Sequence, residues 1–107
     1  MNYNYVCGNF WIASDSQSNR LNIGYKDVII SEDIDGFSFF EERILAILCK
    51  DILYVYIINK NGQTIEDALT LISKISKHGE FECSRVRVDD YIYIIDFDCK
   101  ISCQGRF

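Results

Sequence analysis

Four aspartates lie in a stretch whose other residues are typical of β-strands. The stretch is RVRVDDYIYIIDFDCKISC, residues 85–103, and the aspartates are Asp89, Asp90, Asp96 and Asp98. Two neighbouring carboxylates can share a divalent cation or raise one another's pKa, as acid–base catalysis requires. Because side chains alternate along a strand, Asp96 and Asp98 share the face opposite the continuous apolar one. We interpret this face as solvated or protein-binding first, and as a metal or catalytic site second.

A second acidic segment, SEDIDGFSFFEE, covers residues 31–42. It can be aligned with the twelve-residue calcium loop of an EF-hand, with Asp33 and Asp35 at the third and fifth positions and Glu42 at the twelfth. However, Ser31 occupies the position of the first aspartate, and the preceding residues predict a strand where the motif has a helix. We interpret the match as a coincidence of an acidic turn with a helix start.

The same segment has the composition of a protein-binding surface. Its carboxylates have no Lys or Arg between them and are interleaved with phenylalanines. Aromatic side chains anchor interfaces, and charge accelerates the encounter with a partner of opposite sign. The predicted surface consists of Glu32, Asp33, Asp35, Phe37, Phe39 and Glu42, with Asp96 and Asp98 as a second choice.

The cysteines and the single histidine form no complete metal or catalytic motif. The five cysteines are scattered, and only Cys99 and Cys103 are close in sequence. Four residues apart on a strand, both thiols are expected to face the core, where free cysteine is common. His78 lies at the end of the second predicted helix and has no nucleophile motif near it. We therefore predict no catalytic residue, no metal and no cofactor.

The composition is that of a folded, acidic protein. The chain has 107 residues, 49% of them hydrophobic, and a formal charge of −5. This length and apolar content predict a single domain over residues 1–107. The negative surface disfavours direct binding to nucleic acid or to anionic membranes. We see no secretory signal and no apolar stretch long enough to span a bilayer, so we expect a cytoplasmic protein.

Caps and apolar spacing predict two helices. Ser38 and Glu41 form a capping box, and the apolar residues that follow lie at helical spacing as far as Lys50. Thr64 caps a second helix, which has a continuous apolar face and ends before Gly79.

Five strands complete the predicted fold. A polar loop, residues 14–20, separates the first two strands, and Asp89 and Asp90 form a two-residue turn between the last two. The predicted strands are residues 3–13, 23–30, 52–59, 80–88 and 91–101. The order β-β-α-β-α-β-β indicates an α+β domain, with a mixed or antiparallel sheet of about five strands and both helices packed on one face.

In size, acidity, cysteine content and its acidic aromatic segment 31–42, the chain resembles bacterial immunity proteins of contact-dependent growth inhibition and related polymorphic toxin systems. The resemblance is one of character over the whole chain, so it assigns no role to a particular residue. It implies a non-enzymatic inhibitor that binds a cognate toxin, typically a nuclease, and covers its basic active-site surface. The expected partner is therefore a basic protein.

Three alternatives follow from the same residues. One is an anti-CRISPR-like inhibitor that mimics nucleic acid, which would also present an acidic surface to a basic protein. A small metal-binding enzyme would use Asp96, Asp98 and His78. A homo-oligomeric structural subunit would cover its apolar strand faces with a second copy.

Overall fold

The described chain is almost entirely β-structure. The computed structural model describes residues 2–15, 17 and 20–106, and within them every side chain except those of residues 2, 3, 5 and 15. These residues form eleven strands and one helix of four residues. The prediction of an α+β fold with two helices is therefore wrong. None of the described residues belongs to a helix long and apolar enough to cross a membrane.

Consecutive antiparallel hairpins build three sheets. The first sheet contains β1 (Asn2–Cys7), β2 (Phe10–Asp15), β3 (Arg20–Tyr25) and β4 (Val28–Ile34). The middle sheet contains β5 (Gly36–Phe40), β6 (Ile44–Cys49), β7 (Ile52–Ile58) and β8 (Leu69–Ser76), and α1 (Ile65–Ala68) lies between its last two strands. The third sheet contains β9 (Cys83–Val88), β10 (Tyr91–Asp96) and β11 (Ile101–Arg106), with β10 at its centre.

The middle sheet lies between the other two and contributes to both cores. Along β6, Ile44 and Ala46 pack in a core with residues of the third sheet such as Ile95. The alternating residues Leu45 and Ile47 pack in a second core with residues of the first sheet. All four β6 side chains are at most 1% exposed. A strand covered on both faces is apolar at successive positions, which explains this part of the sequence.

The predicted helix over residues 38–50 is a hairpin. Ser38 caps no helix but pairs with Ala46 across β5 and β6. Between the two strands the chain reverses at Glu41, whose φ of +52° is in the left-handed region. The prediction failed because residues at helical spacing can always be selected from a continuous apolar run.

The second predicted helix is correct at its start and wrong after one turn. The Thr64 hydroxyl accepts a hydrogen bond from the Asp67 backbone N–H at 3.3 Å, as an N-cap does. The helix ends at Ala68, and residues 69–76 continue as β8, hydrogen-bonded to β7. Pairing with β7 satisfies the backbone of this segment, and its alternating sequence LTLISKIS also suits a strand.

One strand prediction and one turn prediction are confirmed. The predicted central strand 52–59 corresponds to β7, and its two faces contribute to the two cores. The predicted turn at Asp89 and Asp90 joins β9 to β10.

The other strand predictions joined or displaced elements. Residues 3–13 form two strands separated by Gly8 and Asn9, and residues 23–30 span the end of β3 and the start of β4. In the predicted loop 14–20, Ser14 and Asp15 belong to β2 and Arg20 to β3, whereas residues 16, 18 and 19 lie outside the described residues.

Candidate protein-binding end of the molecule

The turns and strand ends gather at two opposite ends of the stacked sheets. At one end, the Tyr25 hydroxyl donates a hydrogen bond to the Gly62 carbonyl at 3.0 Å, and Arg43 forms an ion pair with Asp89. At the other end, the Cys49 thiol lies 3.6 Å from the Glu32 carbonyl. The register of the hairpins brings residues 31–36, 49–52, 76–83 and 96–101, together with Arg20, to this second end. We call it the acidic end.

The acidic end carries most of the net charge of the protein. Its eight described carboxylates belong to Glu32, Asp33, Asp35, Asp51, Glu80, Glu82, Asp96 and Asp98. Its four described Lys and Arg side chains are Arg20, Lys50, Lys77 and Lys100. The difference is a formal charge of −4, compared with −5 for the whole chain.

The fold brings two predicted acidic segments together at this end. The Asp35 N–H donates to the Leu48 carbonyl at 2.8 Å. The Leu48 backbone is also close enough to the Cys99 thiol to lower its pKa. Gly36 and Cys99 are neighbours, because a methyl group added at Gly36 would lie 3.5 Å from the Cys99 sulfur, in van der Waals contact. The segments of Glu32, Asp33 and Asp35 therefore adjoin the turn that carries Asp96 and Asp98.

Several of these carboxylates have structural partners. Asp33 forms an ion pair with Arg20 at 3.4 Å, and an Asp35 oxygen accepts a hydrogen bond from the Lys50 N–H at 3.0 Å. Asp96 Oδ1 accepts hydrogen bonds at 2.9 Å from the backbone N–H groups of residues 98 and 100. Asp96 thus closes the turn between β10 and β11, as aspartate often does in loops.

Four other carboxylates of the acidic end face solvent. Glu32, Glu80, Glu82 and Asp98 are exposed, and their side chains form no ion pair or hydrogen bond to another described residue. Between Glu80 and Glu82 lies Phe81, which at 65% is the most exposed large hydrophobic side chain in the described part of the chain. Our reading of the sequence missed Phe81 because it placed residues 80–88 in a strand. The signal was the triplet Glu-Phe-Glu next to Gly79.

The remaining predicted site residues lie away from this cluster. The rings of Phe37 and Phe39 are half-buried on β5, and Phe39 packs 5.4 Å, centroid to centroid, from Phe10 of the first sheet. Glu42 lies at the opposite end, where its carboxylate is 2.7 Å from the Lys60 ammonium. Because β5 is extended, it separates the charges of segment 31–42 between the two ends.

The residues considered for metal or thiol chemistry do not form a cluster. Cys99 is buried at 2% exposure, as predicted, but Cys103 is exposed on the edge strand β11, so the prediction of two core thiols is wrong for Cys103. His78 lies in the loop after β8, with its Nε2 3.1 Å from Asp51. No group of three His, Cys, Asp or Glu side chains in the described residues is arranged to hold a metal ion.

Comparison with known proteins gives no further guide to this site. No protein-family model, curated protein or solved structure matches the chain. The site consists of an exposed aromatic side chain among unpaired carboxylates at one end of the stacked sheets. Such a surface suits a cationic partner.

Proposed function

We propose that the protein is a non-enzymatic inhibitor that binds a basic partner protein through its acidic end. In the specific form of this proposal, the partner is a nuclease toxin and the inhibitor covers the toxin's substrate-binding surface. The observation that supports it is Phe81, 65% exposed between two unpaired glutamates, in an end of the molecule with a formal charge of −4.

Charge and apolar contact have different roles in such a complex. Opposite charge accelerates association by roughly 10- to 1,000-fold, and this gain falls as salt screens the surface. Affinity depends mainly on a few buried anchors, among which aromatic side chains are enriched. Glu32, Glu80, Glu82 and Asp98 can engage a cationic surface without breaking an internal ion pair. Phe81 would then be the anchor.

A nuclease is a suitable partner for this surface on chemical grounds. An enzyme that binds the phosphate backbone presents Lys and Arg side chains around its active site. A surface with several carboxylates can occupy those positions and exclude the nucleic acid. The nucleic-acid-mimic alternative has the same surface and differs only in the identity of the target.

The test first asks whether a toxin with a nuclease domain is encoded beside the gene of this protein, and then uses that domain as the partner. We expect the protein to inhibit nucleic-acid cleavage, and we expect Phe81→Ala to raise the dissociation rate by about tenfold or more. Glu32→Lys and Asp98→Lys should slow association, with a smaller effect at high salt. The matched control is Asp90→Lys, the same charge reversal in an exposed turn at the opposite end.

Two results would contradict the proposal. If Asp90→Lys slows association as much as Glu32→Lys, net charge and not the acidic end governs recognition. If the protein neither binds nor inhibits the neighbouring domain, the inhibitor interpretation fails.

A further inference from the structure

A cleft lies at the end of the molecule opposite the acidic end, between the first and middle sheets. Its volume is about 150 Å³. Phe10, Tyr25 and Ile58 form its floor, and the rim includes Glu42, Lys60 and Cys7. None of these groups takes part in the proposed inhibitor surface, so the cleft needs a separate explanation.

The floor of the cleft is apolar and held in place. The rings of Phe10 and Tyr25 are 3% and 5% exposed, and their centroids are 4.8 Å apart. The Tyr25 hydroxyl donates to the Gly62 carbonyl at 3.0 Å, which fixes the ring. The Lys26 N–H donates to the Asn9 carbonyl at 2.9 Å and joins the neighbouring turns. A preformed apolar floor of this kind suits a small ligand with an apolar part.

The rim of the cleft places one positive and one negative charge side by side. The Lys60 ammonium is 2.7 Å from the Glu42 carboxylate, and this hydrogen bond raises the pKa of Lys60, so Lys60 keeps its positive charge at neutral pH. Burial raises the pKa of the Cys7 thiol, and the Glu42 carboxylate raises it further. Cys7 therefore stays a neutral thiol beside the ion pair at neutral pH.

We propose that this cleft binds a small zwitterion, an α-amino acid with an apolar side chain. The ligand carboxylate would meet Lys60, its ammonium would meet Glu42, and its side chain would cover Phe10 and Tyr25. When a zwitterion binds, two ion pairs replace the exposed one between Lys60 and Glu42, so every charge of the rim and of the ligand keeps a partner. Simple anions are repelled by Glu42, and simple cations by Lys60.

The size of the cleft limits the ligand to about the size of leucine. An engineered protein cavity of about 150 Å³ accommodates benzene and encloses it fully. Benzene has fewer atoms than leucine. The present cleft opens to solvent at its charged rim, so the polar part of an amino acid can extend from it. This inference does not depend on the proposed inhibitor function.

The experiment is a titration of the isotope-labelled protein with L-leucine, followed by amide chemical shifts. We expect saturable shifts at Asn9, Asn59 and Lys60, with a dissociation constant in the millimolar range or below. Isocaproate lacks the ammonium of leucine, and isoamylamine lacks its carboxylate. Each should bind about tenfold more weakly, because each loses one charge-assisted hydrogen bond.

Variants assign the binding to the ion pair. Glu42→Gln and Lys60→Met should each weaken leucine binding by about tenfold. Glu82→Gln and Lys77→Met make the same charge changes at the acidic end and should leave leucine binding unchanged. Absence of a saturable shift with leucine would overturn the inference, and so would isocaproate binding as tightly as leucine. Equal losses in the control variants would also overturn it.

Discussion

At the scale of single residues, Cys99 shows how a reactive group becomes structural. It lies in the turn between β10 and β11, with a φ of +61° and 2% exposure. Burial raises the pKa of its thiol to about 11, the nearby carboxylates of Asp96 and Asp98 raise it too, and a hydrogen bond with the Leu48 backbone opposes them. The thiol is therefore protonated at neutral pH and acts as a packing group between the middle and third sheets.

The raised pKa of Cys99 predicts a loss of stability in alkaline solution. Between the ordinary thiol pKa of 9.0 and the folded value of about 11, the unfolded chain loses this proton while the folded protein keeps it. The free energy of unfolding should therefore be unaffected by Cys99 below that window and fall through it, by at most roughly 3 kcal/mol. Urea unfolding on both sides of the window measures the change.

Tyrosines and lysines also titrate in alkaline solution, so the result requires a comparison of variants. Cys99→Ala should show a smaller alkaline loss than the natural protein. Cys103→Ala, at an exposed thiol, should show the full loss. Equal losses in all three proteins would show that Cys99 does not titrate in this window.

The sequence predicted the acidic character of the candidate site better than it predicted which residues form the site. Glu32 and Asp98 were selected from acidic segments, and the fold brings those segments to one end. Asp96 was selected for the same reason, but its carboxylate closes a turn. Phe81 was missed because residues 80–88 were predicted as a strand, whereas the structure leaves its ring exposed in the loop before β9. Charge density can be read from a sequence, whereas the partner of each carboxylate depends on backbone geometry.

At the scale of elements, the errors concentrate in the middle sheet. Helical spacing was misleading in both predicted helices, because residues 69–76 have a polar face and still form β8, and the apolar run of β6 also forms a strand. The strands of the middle sheet are covered by the first and third sheets, so β6 is apolar at successive positions and fits either period. The strand β7 was recognised because it is apolar on both alternating faces and the turn sequence KNGQ, residues 60–63, follows the predicted strand. Whether such an apolar segment is a helix or a strand depends on how many sheets pack against it, and the sequence does not state that number.

Two-residue turns are the elements that most clearly depart from the preferred sequences. Such hairpin turns favour residues that tolerate a positive φ, chiefly Asn and Gly. Here Lys26, Lys50, Asp51 and Asp89 have φ values of 53°, 52°, 63° and 55°. Lysine in particular has no local side-chain hydrogen bond to compensate for this conformation.

Replacement of Lys50 by asparagine should therefore stabilise the protein. Lys50 is exposed, and its N–H can still donate to Asp35 after the change. We expect Lys50→Asn to raise the free energy of unfolding by about 0.5–1 kcal/mol, measured by urea unfolding. Lys74→Asn is the matched control within β8, where asparagine is disfavoured and a loss is expected. A gain of the same size in both variants would contradict the explanation from turn geometry.

At the scale of the whole molecule, the middle sheet makes the two cores dependent on each other. Neighbouring residues of β6 pack in different cores, so β6 cannot leave one core without disturbing the other. Charge is distributed along a different axis. The strands separate an acidic end with a formal charge of −4 from an opposite end that holds the ion pairs of Arg43 with Asp89 and of Lys60 with Glu42. Packing thus joins the sheets, while charge distinguishes the two ends.

The single tryptophan can test whether the three sheets unfold together. Trp11 lies in the first sheet, with its ring packed directly against Gly24, where an added Cβ would clash with the ring. Its indole N–H donates to the Lys26 carbonyl. Ile95 is fully buried in the third sheet, on the far side of the middle one. Trp11 fluorescence therefore reports on the first sheet when a substitution is made in the third.

Ile95→Ala should lower the free energy of unfolding by about 3 kcal/mol, because it leaves a cavity in a packed core. If the shared middle sheet makes unfolding cooperative, the urea midpoint measured by Trp11 fluorescence should fall together with the midpoint measured by far-ultraviolet circular dichroism. Leu71→Ala, at a side chain that is 47% exposed on β8, is the control and should lower both midpoints much less. An unchanged fluorescence midpoint, with an earlier partial loss of circular dichroism, would mean that the third sheet unfolds alone. The middle sheet would then hold the two cores in contact without coupling their stability.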